Sequence, residues 1–143
     1  LLETGLKKGE CLALTLHHLN LEDEADPFIF VRYNNPNYRY KERKITVSHE
    51  WVEVYQEYAA QYPLKDQVFP WSPRRLEYIL EDIGKEAGLQ KHLSFDMCRW
   101  TSVLQDFQKE EEKDKIRQKL GISKIQWREI SAKLNRLAAK NEH

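Results

Sequence analysis

No stretch of this sequence approaches the run of about 18 apolar residues that a membrane-spanning helix needs, so a spanning helix is excluded. The first residues, Leu1-Leu2-Glu3-Thr4-Gly5, carry neither a basic segment nor a small-residue cleavage site, so they do not read as a secretion signal. Cysteine is scarce: Cys11 and Cys98 are the only two, far apart and each in an apolar, helix-like setting. That is no disulfide framework; it reads as two core fillers in a reducing, cytoplasmic compartment. There is no glycine-rich phosphate loop, no cysteine pair at ligand spacing, and no tyrosine after Tyr78.

Metal chemistry is equally thin. His17 and His18 are adjacent, so on a helix they leave on different faces, and His49 and His92 stand alone. The acidic run Glu22-Asp23-Glu24-Ala25-Asp26 lacks the central glycine and distal glutamate of a calcium loop and reads as solvated. No metal and no cofactor are expected.

Net charge is also absent, with 23 Lys and Arg against 23 Asp and Glu. The balance removes a global attraction for polyanions, but the charges are segregated. Arg32, Arg39, Lys41, Arg43 and Lys44 face a single acid, Glu42, across residues 32–44. Residues 113–143 hold nine Lys or Arg against Asp114, Glu129 and Glu142. Two basic segments on a neutral chain read either as one positive face or as two solvated surfaces.

What is present is enough to fold. Hydrophobic residues make up 41% of the 143, aromatics 11% and charged residues 32%, which describes one folded domain over residues 1–143. The chain starts inside an apolar run without a Met, so it is expected to be part of a longer protein. Residues 7–19 read as a helix with Leu12, Leu14, Leu16 and Leu19 as its contacts. Phe28-Ile29-Phe30-Val31 reads as a strand, Asn34-Asn35-Pro36-Asn37 as a turn, and residues 39–47 as a returning strand, together a β-hairpin. Ser48, Ser72 before Pro73, and Ser94 are N-cap signals for three helices, and Gly88 ends the second of these. Residues 113–120 form a short basic helix closed by Gly121. Ser123 with Gln126 forms a capping box for a last helix whose Trp127, Ile130, Leu134 and Leu137 make one apolar stripe. That stripe must cover either the chain's own core or a second copy.

Three segments, taken with the hairpin, carry a family resemblance. Thr4-Gly5-Leu6-Lys7 with Glu10 is similar to a TGLR-x-x-E box. Ser94-Phe95-Asp96-Met97-Cys98-Arg99-Trp100-Thr101 is similar to an H-x-x-R-H-T box. Leu120-Gly121-Ile122-Ser123-Lys124-Ile125 is similar to an LGH-S-x-I box, and Lys41-Glu42-Arg43 lies where a lysine-bearing hairpin belongs. In this order the chain resembles the catalytic domain of the tyrosine recombinases, the phage integrases. The resemblance implies an α+β fold, mainly α-helical, with one small β-sheet. It also implies that a helix which normally precedes the first box is missing.

The resemblance implies a chemistry that the residues do not support. In the family a tyrosine attacks a phosphodiester, two arginines and a histidine or tryptophan hold its oxygens, and a hairpin lysine protonates the leaving group. Here the first arginine's place is held by Lys7, which keeps the charge but not the bidentate fork. The histidine before the second arginine is Asp96, a carboxylate that repels phosphate. Arg99 is retained. It reads equally as a phosphate ligand or as an ion-pair partner of Asp96, three residues earlier on a helix. The histidine of the third box is Ile122, and nine residues on, at the nucleophile's place, stands Ser131. None of Trp127, Arg128, Leu134 and Asn135 beside it is a base that could activate it. The hairpin lysine's own place falls near Tyr38, and Lys41 fills it only in a shifted register.

The expectation is an integrase-like domain that binds double-stranded DNA without cutting it, as a regulator, an architectural protein or the remnant of a mobile element, nucleoid-associated if so. Expected phosphate contacts are Lys7, Arg39, Lys41, Arg43, Arg99 and Arg128. Two alternatives stand beside it: an interaction module forming homo-oligomers through its last helix, and an active recombinase with an unrecognised nucleophile.

Overall fold

The computed structural model describes residues 1–23 and 25–141, with side chains up to residue 136; Glu24, Leu137 and Glu142 therefore lie outside the described side chains. Eleven short elements follow one another among the described residues. Helix α1 (Lys8–Ala13) leads through a 3-10 turn (Leu16–His18) into strand β1 (Leu19–Asn20). Strand β2 (Phe28–Val31), a second 3-10 turn (Pro36–Lys41) and strand β3 (Arg43–Thr46) come next. Helices α2 (His49–Gln61), α3 (Pro73–Glu86), α4 (Phe95–Gln108), α5 (Lys113–Leu120) and α6 (Lys124–Asn141) complete the chain. The architecture is mainly helical with one antiparallel three-stranded sheet, ordered β1-β2-β3.

The helix starts follow their serine signals. The Ser48, Ser72 and Ser94 hydroxyls accept from the N–H groups of Trp51, Arg75 and Met97 at 3.1, 3.1 and 3.2 Å. Ser123 and Gln126 close the reciprocal capping box: the Gln126 N–H donates to Ser123 Oγ at 3.2 Å, and the Ser123 N–H to Gln126 Oε1 at 3.1 Å. Gly121 ends α5 at φ +67, in the left-handed region.

Two expectations need correction. The helix expected over residues 7–19 stops at Ala13. Leu12, Leu14 and Leu16 alternate, and beyond Ala13 that is a strand period rather than a helical one. Leu14 is extended and its carbonyl accepts from Val68 N–H at 3.1 Å, while the Leu16 N–H donates to Asp66 at 2.8 Å. The hairpin's second arm begins at Arg43, not at residue 39. Pro36–Lys41 coils instead into a 3-10 turn started by Asn35, whose side chain accepts from Asn37 N–H. The sheet also gains β1, pairing Leu19 with Ile29.

Among the described residues the apolar interior has two centres. One gathers Leu6, Cys11, Ile29, Val31, Ile45, Val47 and Leu76 between the sheet, α1 and α3. The other gathers Val103, Ile116, Leu120, Ile122 and Leu134, with Trp127 and Ile130 packed on it. The described part of the α6 stripe thus covers the chain's own core. Both cysteines are buried and unbridged, and burial pushes the Cys11 thiol up to about 12. No described helix is long and apolar enough to cross a membrane.

Candidate functional site

The three boxes converge on Arg99. From the first turns of α4 its guanidinium donates to the Gly5 carbonyl at 2.8 Å and to the Leu120 carbonyl at 2.9 Å. A side chain in the second box thereby ties the first box to the third. The pairing with Asp96 expected from their spacing is not formed; Asp96 is exposed in the first turn of α4, where a carboxylate suits the positive end of the helix dipole. Two of five guanidinium donors are in use, and Arg99 also lines an open cleft of about 540 Å³ with Lys7, Lys8, His92, Ser94 and Asp96.

Beneath the cleft lies a buried ion pair. Arg43 is 8% exposed. It donates to both Glu10 oxygens at 2.7 and 2.9 Å, to the Lys119 carbonyl at 2.6 Å and to the Lys41 carbonyl at 2.7 Å. Tyr33 donates its hydroxyl to the same carboxylate, as does the Lys7 N–H at 3.0 Å. Burial alone pushes the Glu10 carboxyl up, but Arg43, Lys7 N–H and Tyr33 together hold it below its ordinary range. Burial and the bond to Glu10 raise the Tyr33 phenol well above its ordinary value, so Tyr33 stays protonated and structural. Arg43 is therefore corrected from a phosphate contact to a strut joining α1, β3 and α5. The signal was readable: Arg43, Ile45 and Val47 alternate, so all three share the inward face of β3.

Lys7 and Lys41 are what the strut leaves outside. Lys7 is half-buried at the N-cap of α1; burial first, then Arg99 and Lys41, hold its ammonium below its ordinary range. Like charges gathered this closely disfavour one another, while Glu77 and Asp96 stand on the wall of the same cleft. Lys41 sits over the Tyr38 ring at 4.6 Å and within 5.9 Å of the Tyr33 ring centre, so its direction is fixed by cation–π contact. Lys7 is thus shared by two neighbouring clefts, one lined by Arg99 and the other by Lys41. Arg39 and Arg128 are exposed and line neither this cleft nor the one beside it. Ile122 is buried in the second core, and Ser131 is half-buried on α6, away from both clefts. Among the described residues no group of His, Cys, Asp and Glu is placed to hold a metal.

No protein-family model and no curated protein matches this sequence. Solved structures do. The XerA recombinase superposes with a TM-score of 0.77 at 21% identity, over 99% of this chain and 53% of that one. The fold is that of a tyrosine recombinase. XerH site-specific recombinase bound to difH substrate, in a pre-cleavage complex, superposes with a TM-score of 0.69 at 22% identity, over 87% of this chain and 38% of that one. Its post-cleavage complex with palindromic difH gives 0.71 at 21%, over 99% and 43%. The chain spans about half or less of the length of these recombinases.

Proposed function

We propose that this domain binds double-stranded DNA at the Lys7–Lys41–Arg99 cleft and does not cleave it. The observation that carries the reading is the pairing of a concentrated cationic cleft with a missing reaction centre. Among the described residues Lys7, Lys41 and Arg99 form no ion pair, though Asp96 shares a cleft with two of them; such cations suit a phosphate. Ile122 cannot donate a proton to one, Asp96 at the cleft rim opposes one, and Ser131 has no base to activate it. The recombinase fold supports DNA as the polyanion, since the similar XerH structures are complexes with difH.

The alternative of homo-oligomers through α6 is the weaker reading, because the described part of its apolar stripe, Trp127, Ile130 and Leu134, packs on the chain's own core. An active recombinase remains the reading with a direct assay: incubation with a nicked suicide duplex and denaturing electrophoresis. The proposal expects no covalent protein–DNA adduct at protein concentrations that saturate binding. A covalent band that disappears on Ser131→Ala would overturn it. Regulation, architecture or descent from a mobile element are the roles such a domain suits.

A further inference from the structure

The cationic cleft does not end at Lys7. A second hollow, about 400 Å³, shares Lys7 and Gly9 with the first and continues past Lys41 to Arg32 and His18. A third, about 460 Å³, shares His18 and Arg32 with the second and opens onto the outer face of the sheet. The three form one trough. Of the four described acids that line it, Glu10 is matched by Arg43 and Glu77 by Lys8, while Asp96 and Glu22 stand at its two ends.

Where the trough reaches the sheet its character changes. The strand alternation that turns Ile29 and Val31 inward turns Phe28 and Phe30 outward, half-exposed, into the third hollow. The Arg32 guanidinium lies 5.1 Å over the Phe30 ring, and Lys44 lies 4.2 Å over the Phe28 ring. The Thr15 N–H donates to His18 Nδ1 at 3.1 Å, which leaves Nε2 of that ring as the donor. A phosphate-binding track that runs onto ring faces topped by cations is the arrangement that holds unpaired nucleic acid: phosphates along the groove, bases stacked on the aromatics and the guanidinium plane. A duplex offers no free base faces to such a platform.

We infer that the outer face of the sheet, through Phe28, Phe30 and Arg32, binds a single-stranded DNA segment whose backbone follows the trough to Lys41 and Lys7. This rests on the proposed DNA binding at Lys7 and extends it from duplex to unpaired strand.

The test is fluorescence anisotropy with three labelled probes: an oligodeoxythymidylate of about 16 nucleotides, its abasic counterpart, and a duplex. The proteins are the wild type, Phe30→Leu, Phe30→Trp and Arg32→Ala. Phe30→Leu keeps the apolar packing and removes the ring. The expected result is a loss of oligothymidylate affinity of roughly ten-fold in Phe30→Leu and Arg32→Ala, with retention in Phe30→Trp. Wild-type affinity for the abasic strand should be no higher than that of Phe30→Leu for the oligothymidylate, because the abasic strand loses every stacking contact and the variant only one. Duplex affinity should stay within about two-fold, which also shows that the variants fold. Equal oligothymidylate binding by wild type and Phe30→Leu, or equal binding of the thymidylate and abasic strands by the wild type, overturns the inference while leaving duplex binding intact. Oligothymidylate binding without duplex binding supports the inference and refutes the duplex reading instead.

Discussion

Removing the Arg43 side chain leaves the Glu10 carboxylate buried with its main partner gone. Arg43→Ala is expected to destabilise the fold by about 3–5 kcal/mol, measured by urea denaturation. Glu10 adds a pH dependence. Its folded-state pKa lies below its ordinary value of 4.5. The unfolded chain therefore binds the proton more readily, and the pair's contribution is complete above that value and is lost as pH falls through the folded-state value. Denaturation midpoints of the wild type should drop through that acid window, and those of Glu10→Gln should drop less; parallel curves would refute the assignment. Lys7 shifts in the opposite functional sense. Its lowered pKa means that its charge, and the phosphate affinity it supplies, fades at a lower pH than an ordinary lysine's. DNA affinity should weaken as pH rises toward but below 10.5, and Lys7→Arg should flatten that profile. An identical profile in Lys7→Arg would mean that another group titrates.

At the scale of elements, Gly121 fixes how α5 meets β3. A Cβ there would stand 2.6 Å from Arg43 Nη1, and the backbone sits at φ +67. Gly121→Ala combines left-handed strain of about 1 kcal/mol with displacement of a buried guanidinium, so its effect should approach that of Arg43→Ala. The double variant should then be little worse than either single one; full additivity would show that the two residues act separately. Much of the element pattern was legible because local signals decide it. Ser48, Ser72, Ser94 and Ser123 start helices by satisfying N–H groups within three residues, and no tertiary contact is needed. The segment from Leu14 to Leu19 was not legible in the same way. Its extended form is completed by residues 66–68, some fifty positions on, and a leucine-rich run satisfies both periods until that partner is known. β1 is only two residues long, too short to leave a period at all.

For the whole molecule, neutral net charge conceals a local excess of cations. Along the linear chain Arg43 and Lys41 belong to one basic segment. Folding separates them: Arg43 goes inside to Glu10, Lys41 goes to the cleft beside Lys7 and Arg99. Linear sequence singled out Lys7 and Arg99 by the box motifs but Lys41 only by clustered charge, the same signal that singled out the buried Arg43, because the place of Lys41 depends on the 3-10 turn that precedes β3. Nor could it foresee Arg99 as a clasp, since the carbonyls of Gly5 and Leu120 lie 94 and 21 residues away. The same guanidinium that joins the boxes also lines the cleft, so Arg99→Ala changes fold and binding together. Lys7 and Lys41 are the better probes.

The most direct test of DNA binding at this cleft is the salt dependence of duplex affinity, wild type against Lys7→Gln with Lys41→Gln. Every phosphate left without its lysine should lower the slope of log affinity against log salt by about 1. The account predicts measurable wild-type binding at about 50 mM salt, a steep fall by about 200 mM, and a double variant that binds more weakly with a slope lower by about 2. A double variant with unchanged affinity and slope, or a wild type that binds no duplex at about 50 mM salt, would contradict it.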